Sequence, residues 1–136
     1  GLDYVIAVEG ALKSKEISYI HSEAFASGEL KHGTIALITD GVPVVVNVTQ
    51  SDLFEKSVSN IKEVTSRGAY VIAIAKEGNT VVEEVADEVF YIPDVEDDYA
   101  GFPTIVIHQL LAYYLSKLKG NDVDKPRNLA KSVTVE

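Results

Sequence analysis

The sequence predicts an α/β fold, a three-layer αβα sandwich around a mainly parallel sheet. Three observations carry this. Two β-branched runs, residues 42–48 and 70–75, have the near-continuous apolar character of strands buried on both faces. A third strand is expected at 88–92, closed by Pro93. Helix-like stretches alternate with these runs, as the crossovers of a parallel sheet require.

The elements follow in order. Residues 4–20 contain no Pro and are rich in Ala, Leu, Lys and Glu, which predicts a helix with Asp3 as its N-cap. Gly10 inside it costs about 1 kcal/mol relative to Ala, so close packing is expected there. A second short helix is expected over 22–27, stopping at Gly28. An apolar run at 35–38 ends in the turn Thr39-Asp40-Gly41 before the first strand. Residues 51–67 read as a helix with Ser51 as N-cap and Gly68 as stop, and Leu53, Phe54, Val58, Ile61 and Val64 fall at helical spacing. Residues 76–79 make a turn and 80–86 a short helix. Residues 94–99 read as an acidic, solvated connection. Residues 102–119 form the longest helix, carrying Ile105, Val106, Leu110, Leu111, Tyr114, Leu115 and Leu118, and Gly120 ends it. Residues 121–136 form an irregular tail. Its Leu129, Ala130, Val133 and Val135 are too apolar for a solvated end, so it is expected to dock and to bring Arg127 and Lys131 with it.

The chain has 136 residues, the size of one domain, and neither a repeat nor an interior linker divides it. One domain over 1–136, with 121–136 as a docked tail, is the expectation. Cysteine is absent, which excludes disulfides, thiolate metal sites and cysteine nucleophiles. Methionine is absent too, and the opening Gly1-Leu2-Asp3 reads as a piece of a longer chain. The net charge of −9 disfavours nucleic acid and anionic membranes as partners. With no apolar run of spanning length and no signal peptide, a cytoplasmic protein is expected.

Charge in the first helix is where a functional reading starts. At 100° per residue, Val5, Ile6, Leu12, Ile17 and Ile20 define an apolar side, and Ala7, Ala11, Ser14 and Ser18 a small-residue side. Glu9, Lys13 and Glu16 fall inside the apolar side and form one row at i, i+4 and i+7. A Glu–Lys–Glu row among apolar neighbours suits a cleft for proton transfer. It also suits a surface ion-pair ladder, and the pattern alone leaves both open. His32, in a Gly-flanked turn, titrates near neutral pH and has the freedom to reach a ligand, or is an exposed loop histidine. His21, at the predicted helix end, is read as structural through the helix dipole. His108 is read as a satisfied core histidine. His21, Glu23 and His32 match no metal motif. The run Thr49-Gln50-Ser51-Asp52 is read as a plain N-cap rather than a phosphate site.

Two segments are long and specific: EGALKSKEISYIHSEAFASGELKHG at 9–33 and DVDKPRNLAKSVTVE at 122–136. Together they closely resemble the glutamine–fructose-6-phosphate amidotransferase family, at the second sugar-isomerase (SIS) domain of its isomerase half. The resemblance covers nearly the whole chain. It implies an isomerase half that takes fructose 6-phosphate and ammonia to glucosamine 6-phosphate, with no metal or organic cofactor. By motif, Glu16 matches the base that moves a proton between C1 and C2 of the open-chain sugar. His32 matches the ring-opening histidine, supplied to a neighbouring subunit's site, which implies a homodimer. Lys13 matches a lysine assisting proton transfer, and Glu9 a glutamate of the same site. Lys131 matches the tail lysine near the sugar carbonyl, with Ala130 beside it. The family's phosphate-binding Ser/Thr loop and its glutaminase domain have no counterpart here, so the chain alone is expected to be nearly silent. Thr34 stands where the family has Pro. A non-catalytic phosphosugar-binding module and a dimerisation module are the alternatives. A sensor has no need for Glu16, His32 and Lys131 together, and a dimerisation module would use the small-residue side of the first helix.

Overall fold

Three parallel strands, β1 (Pro43–Val48), β2 (Tyr70–Lys76) and β3 (Glu88–Ile92), lie in the order β1-β2-β3 in the computed structural model, which describes residues 1–127 apart from the His32 side chain. Pro43 pairs with Tyr70, and Ile72 with Glu88. Side chains alternate between the two faces of a strand. Val44, Val46 and Val48, with Val71, Ala73, Ala75, Val89 and Tyr91, turn to the face covered by α2 (Phe54–Thr65). That helix sends Val58, Ile61 and Val64 into this core, at the predicted spacing. The other face carries α1 (Leu2–Ser18) and α3 (Gly101–Leu118). The expected three-layer α/β architecture with a parallel sheet is therefore present. Among the described residues, no helix is long and apolar enough to cross a membrane.

The pairing of α1 with α3 departs from the helical-wheel expectation. Gly101 lies against Leu2 and Ile6, His108 against Gly10, and Ser116 Oγ donates to the Ile17 carbonyl at 2.7 Å. The two helices therefore run in the same direction. Their contact falls on Ile6, Gly10 and Ile17, at the border between the apolar and small-residue sides. Val5 and Leu12 are left exposed. Close approach at Gly10 decides this, because the His108 ring fills the space where a side chain would be. α3 buries Thr104, His108, Ala112 and Ser116, small or polar residues four apart. Its apolar stripe of Phe102, Val106, Leu110, Tyr114 and Leu118 points away from this contact and is exposed, Leu118 at 85%.

Several local expectations shift. α1 begins at Leu2 with Gly1 as its cap, and Asp3 lies in its first turn, bonded elsewhere. Residues 22–26 form no helix, and a 3-10 helix starts at Ser27 and runs through Gly28 to His32. Thr80–Glu84 is likewise 3-10. Ser51 opens a 3-10 turn, Ser51–Leu53, before α2 and makes no cap bond. Gly68 and Gly120 do end their helices, with φ of 86° and 75° that glycine alone tolerates well. β1 is not buried on both faces: Val45 is 37% exposed. The α1–α3 pair covers only the carboxyl-end half of its face, where Ile74 and Ile92 pack with Ala100 and Ile107, and Tyr70 and Phe90 stay open with Val45.

A Cβ on Gly10 would stand 2.6 Å from His108 Cγ. Alanine favours the helix by about 1 kcal/mol, but overpacking against a hydrogen-bonded ring costs more, about 1–3 kcal/mol. Gly10→Ala is expected to lower the urea midpoint, by a net loss of up to about 2 kcal/mol. A midpoint at or above that of the unchanged protein would show that the two helices are free to separate.

Candidate functional site

The row on α1 forms as one unit. Lys13 Nζ donates to Glu16 Oε2 at 2.7 Å and lies 3.5 Å from Glu9 Oε1. All three side chains are half-buried along the edge of the α3 contact. The hydrogen bond to Glu16, and then the charges of both glutamates, raise the Lys13 pKa above the usual lysine range against the opposing effect of partial burial. Lys13 is thus held as an ammonium, a donor and a charge rather than a base. Glu16 is the acceptor turned toward it. A carboxylate beside a fixed ammonium is an arrangement for moving a proton on a polarised substrate.

A buried polar network places this helix. Asn47 Nδ2 donates to the Asp3 carbonyl at 2.9 Å, so its Oδ1 is the acceptor facing His108 Nε2, also at 2.9 Å. His108 Nε2 therefore carries the proton and Nδ1 faces Gly10. The Asp3 carboxylate accepts from the Thr49 amide at 3.0 Å and from the Thr49 hydroxyl. The first turn of α1 is pinned in this way to the carboxyl end of β1. At 1.5 Å per residue, Glu16 then lies about 20 Å along the axis from Asp3. The row is thus displaced from the crevice beyond the strand ends, where α/β sheets ordinarily bind ligands.

That crevice is occupied differently. Asp97, in the predicted solvated loop, is instead drawn in. It accepts from the buried Lys76 ammonium, from the Ser51 amide at 2.7 Å and from the Ser51 hydroxyl at 2.9 Å. The Lys76 hydrogen bond and then the Ser51 amide hold the Asp97 carboxyl below its ordinary range. The donors of the 49–52 run are thus committed within the chain, those of Ser51 to the Asp97 carboxylate, those of Thr49 to the Asp3 carboxylate and the Gln50 side-chain amide to the Asp97 carbonyl. Beside them Thr49, Gln50, Phe54 and Asn79 line a cavity of about 210 Å³. The acidic composition of residues 94–98 hid this pair, since nothing near Asp97 in sequence signals a lysine 21 positions earlier.

His32 closes the 3-10 helix Ser27–His32, on the far side of the sheet from the row. Leu30 packs against the α2 core, and Lys31 Nζ lies 3.6 Å from Glu63 of α2. Within one chain, then, the His32 backbone and Glu16 are not brought together. Gly33, at φ 128°, lets the chain turn sharply into the 3-10 helix Thr34–Leu37. His21 lies beyond the helix end, is exposed, and approaches Glu23 at 3.4 Å. Among the described residues, no three His, Asp or Glu side chains gather as a metal site. Ala130 and Lys131 lie outside the described residues.

Burial pushes the His108 pKa down. A depressed histidine contributes stability that is complete above its unfolded value, about 6.5, and is lost as pH falls through the lower folded value. The urea midpoint is therefore expected to drop between pH 7 and pH 5, and to drop less in His108→Leu. Parallel pH profiles for the two proteins would remove His108 as the titrating group.

The SIS domain family model matches residues 1–118. The chain is 62% identical over its whole length to the glutamine–fructose-6-phosphate aminotransferase (isomerizing) of Caldanaerobacter subterraneus subsp. tengcongensis, and 64% identical to that of Clostridium acetobutylicum. It spans 22% of the length of each. Among solved structures, the C-terminal domain of glucosamine-fructose-6-phosphate aminotransferase from Francisella tularensis superposes with a TM-score of 0.83 at 42% identity, over 92% of this chain and 35% of that one.

Proposed function

The chain belongs to the SIS domain family, and from that premise we propose that it is the second sugar-isomerase domain of an enzyme that makes glucosamine 6-phosphate from fructose 6-phosphate and ammonia. The observation that carries this is the assembled row: Glu16 accepting from an ammonium-held Lys13, with Glu9 flanking. In this role ammonia condenses at the C2 carbonyl of the open-chain sugar with loss of water, and the Glu16 carboxylate removes a proton from C1 of the resulting imine and returns it to C2, leaving an amine at C2 and an aldehyde at C1. Lys13 hydrogen-bonds the sugar oxygens that carry charge as the proton moves, and Glu9 keeps Lys13 oriented. Lys131, with Ala130 beside it, approaches the sugar carbonyl from the tail.

His32 opens the sugar ring in a neighbouring copy's site. Support for this is its position across the sheet from Glu16, which a second copy overcomes and a single chain does not. A homodimer, with the remaining parts of a longer chain supplying the phosphate-binding loop and the ammonia, is the assembly this reading requires. The small-residue side of α1 lies partly against α3 of the same chain, with Ser18 fully buried, which speaks against the dimerisation-module reading.

Glu16→Gln in the full-length protein is expected to lower turnover by about 10²–10⁴, with fructose 6-phosphate binding retained in calorimetry. Unchanged turnover would remove Glu16 as the base. The isolated chain of residues 1–136, given fructose 6-phosphate and ammonia, is expected to form no measurable glucosamine 6-phosphate, and robust turnover would overturn the fragment reading.

A further inference from the structure

The C-terminal end of α1 holds a conformation that needs a reason. Tyr19 follows the helix at φ 58°, ψ 23°, and is the one non-glycine residue with positive φ among those described. Glycine ordinarily takes this cap position, because a side chain there meets the following carbonyl. Strain of this kind persists where the surroundings use the side chain. The Tyr19 ring lies under the Arg127 guanidinium, 4.0 Å from its centroid, and the Tyr19 hydroxyl accepts from the Arg127 backbone amide at 2.9 Å. The chain between α3 and Arg127 is fastened to the same helix end. Lys119 Nζ donates to the Ser18 carbonyl at 2.7 Å, and Asn121 Nδ2 to the Ile17 carbonyl at 3.4 Å.

We propose that Tyr19 is a positioning residue: a clamp that fastens the root of the C-terminal tail to the end of the helix bearing Glu16. The distances give it this meaning. Tyr19 is three residues beyond Glu16, about 5 Å along a helix axis. Lys131 is four residues beyond Arg127, and four residues reach at most about 14 Å. Holding Arg127 against Tyr19 therefore fixes, at the Glu16 end of α1, the point from which the chain continues toward Lys131. The positioning role rests on the functional reading above, whereas the clamp itself does not.

Trypsin reads the clamp directly, because cutting after Arg127 requires its side chain to leave Tyr19, and Lys125 is protected by the following Pro126. In the full-length protein, Tyr19→Gly removes both contacts and relaxes the cap, so the thermal midpoint is not expected to fall. Release of the peptide 128–131 is expected to accelerate about tenfold, with cleavage after Lys117 unchanged. Tyr19→Phe, which keeps the stack, is expected to show about a threefold acceleration. With fructose 6-phosphate and ammonia, Tyr19→Gly is expected to lower kcat about tenfold at constant KM, and Tyr19→Phe to recover most of the loss. Unchanged cleavage after Arg127 in Tyr19→Gly would overturn the clamp. Faster cleavage with unchanged kcat would overturn the positioning role. A full-length protein lacking this turnover altogether would overturn the functional reading and the positioning role with it, while the cleavage rates still decide the clamp.

Discussion

The approach of α1 to α3 at Gly10 is the constraint on which the rest depends. A glycine there admits the His108 ring, and the ring in turn reaches Asn47 on β1. Asn47 and Thr49 then hold the first turn of α1 through Asp3. Each hydrogen bond is modest alone, about 0.5–1.5 kcal/mol net, but leaving any of these buried groups unpaired would cost more. The network therefore acts as a locating joint. It fixes the helix that carries Glu9, Lys13 and Glu16 in depth and rotation relative to the sheet.

Because α1 and α3 run the same way, their peptide dipoles lie side by side in the unfavourable sense. Charge at both ends offsets this. Asp3 lies in the first turn of α1 and Asp97 just ahead of α3, where positive ends gather. Lys15 and Lys117 occupy the two last turns, and Lys119 donates to a terminal carbonyl of α1. The Lys76–Asp97 pair belongs to the same end of the sheet. Its lysine is buried, so the pair fixes geometry more than it adds stability.

The fold class was legible in the sequence because strand and helix periods are local signals. The Glu88–Ile92 strand and the α2 core positions emerged from pattern alone. The row on α1 was legible as a row, since i, i+4 spacing survives any packing, but its burial was not. That depended on where α3 lies, which Gly10 and His108 decide from 98 positions apart in sequence. The Lys76–Asp97 pair and the Tyr19–Arg127 contact were invisible for the same reason. A tyrosine with positive φ has no sequence mark, because the conformation is imposed by its partners. Lys131 and Ala130 were reached through the resemblance of the tail and lie beyond the described residues.

One feature of α3 bears on how the chain behaves among its own copies. The stripe of Phe102, Val106, Leu110, Tyr114 and Leu118 offers water a continuous greasy ridge. Against it stands a net charge of −9, which sets up repulsion between molecules at neutral pH. Added salt shortens the range of that repulsion to about 3 Å at 1 M, and acid near the sequence pI of about 4.7 abolishes it. Dilute, mildly alkaline, low-salt solutions are thus the ones in which this charge opposes association through the ridge, and brine or weak acid removes that opposition.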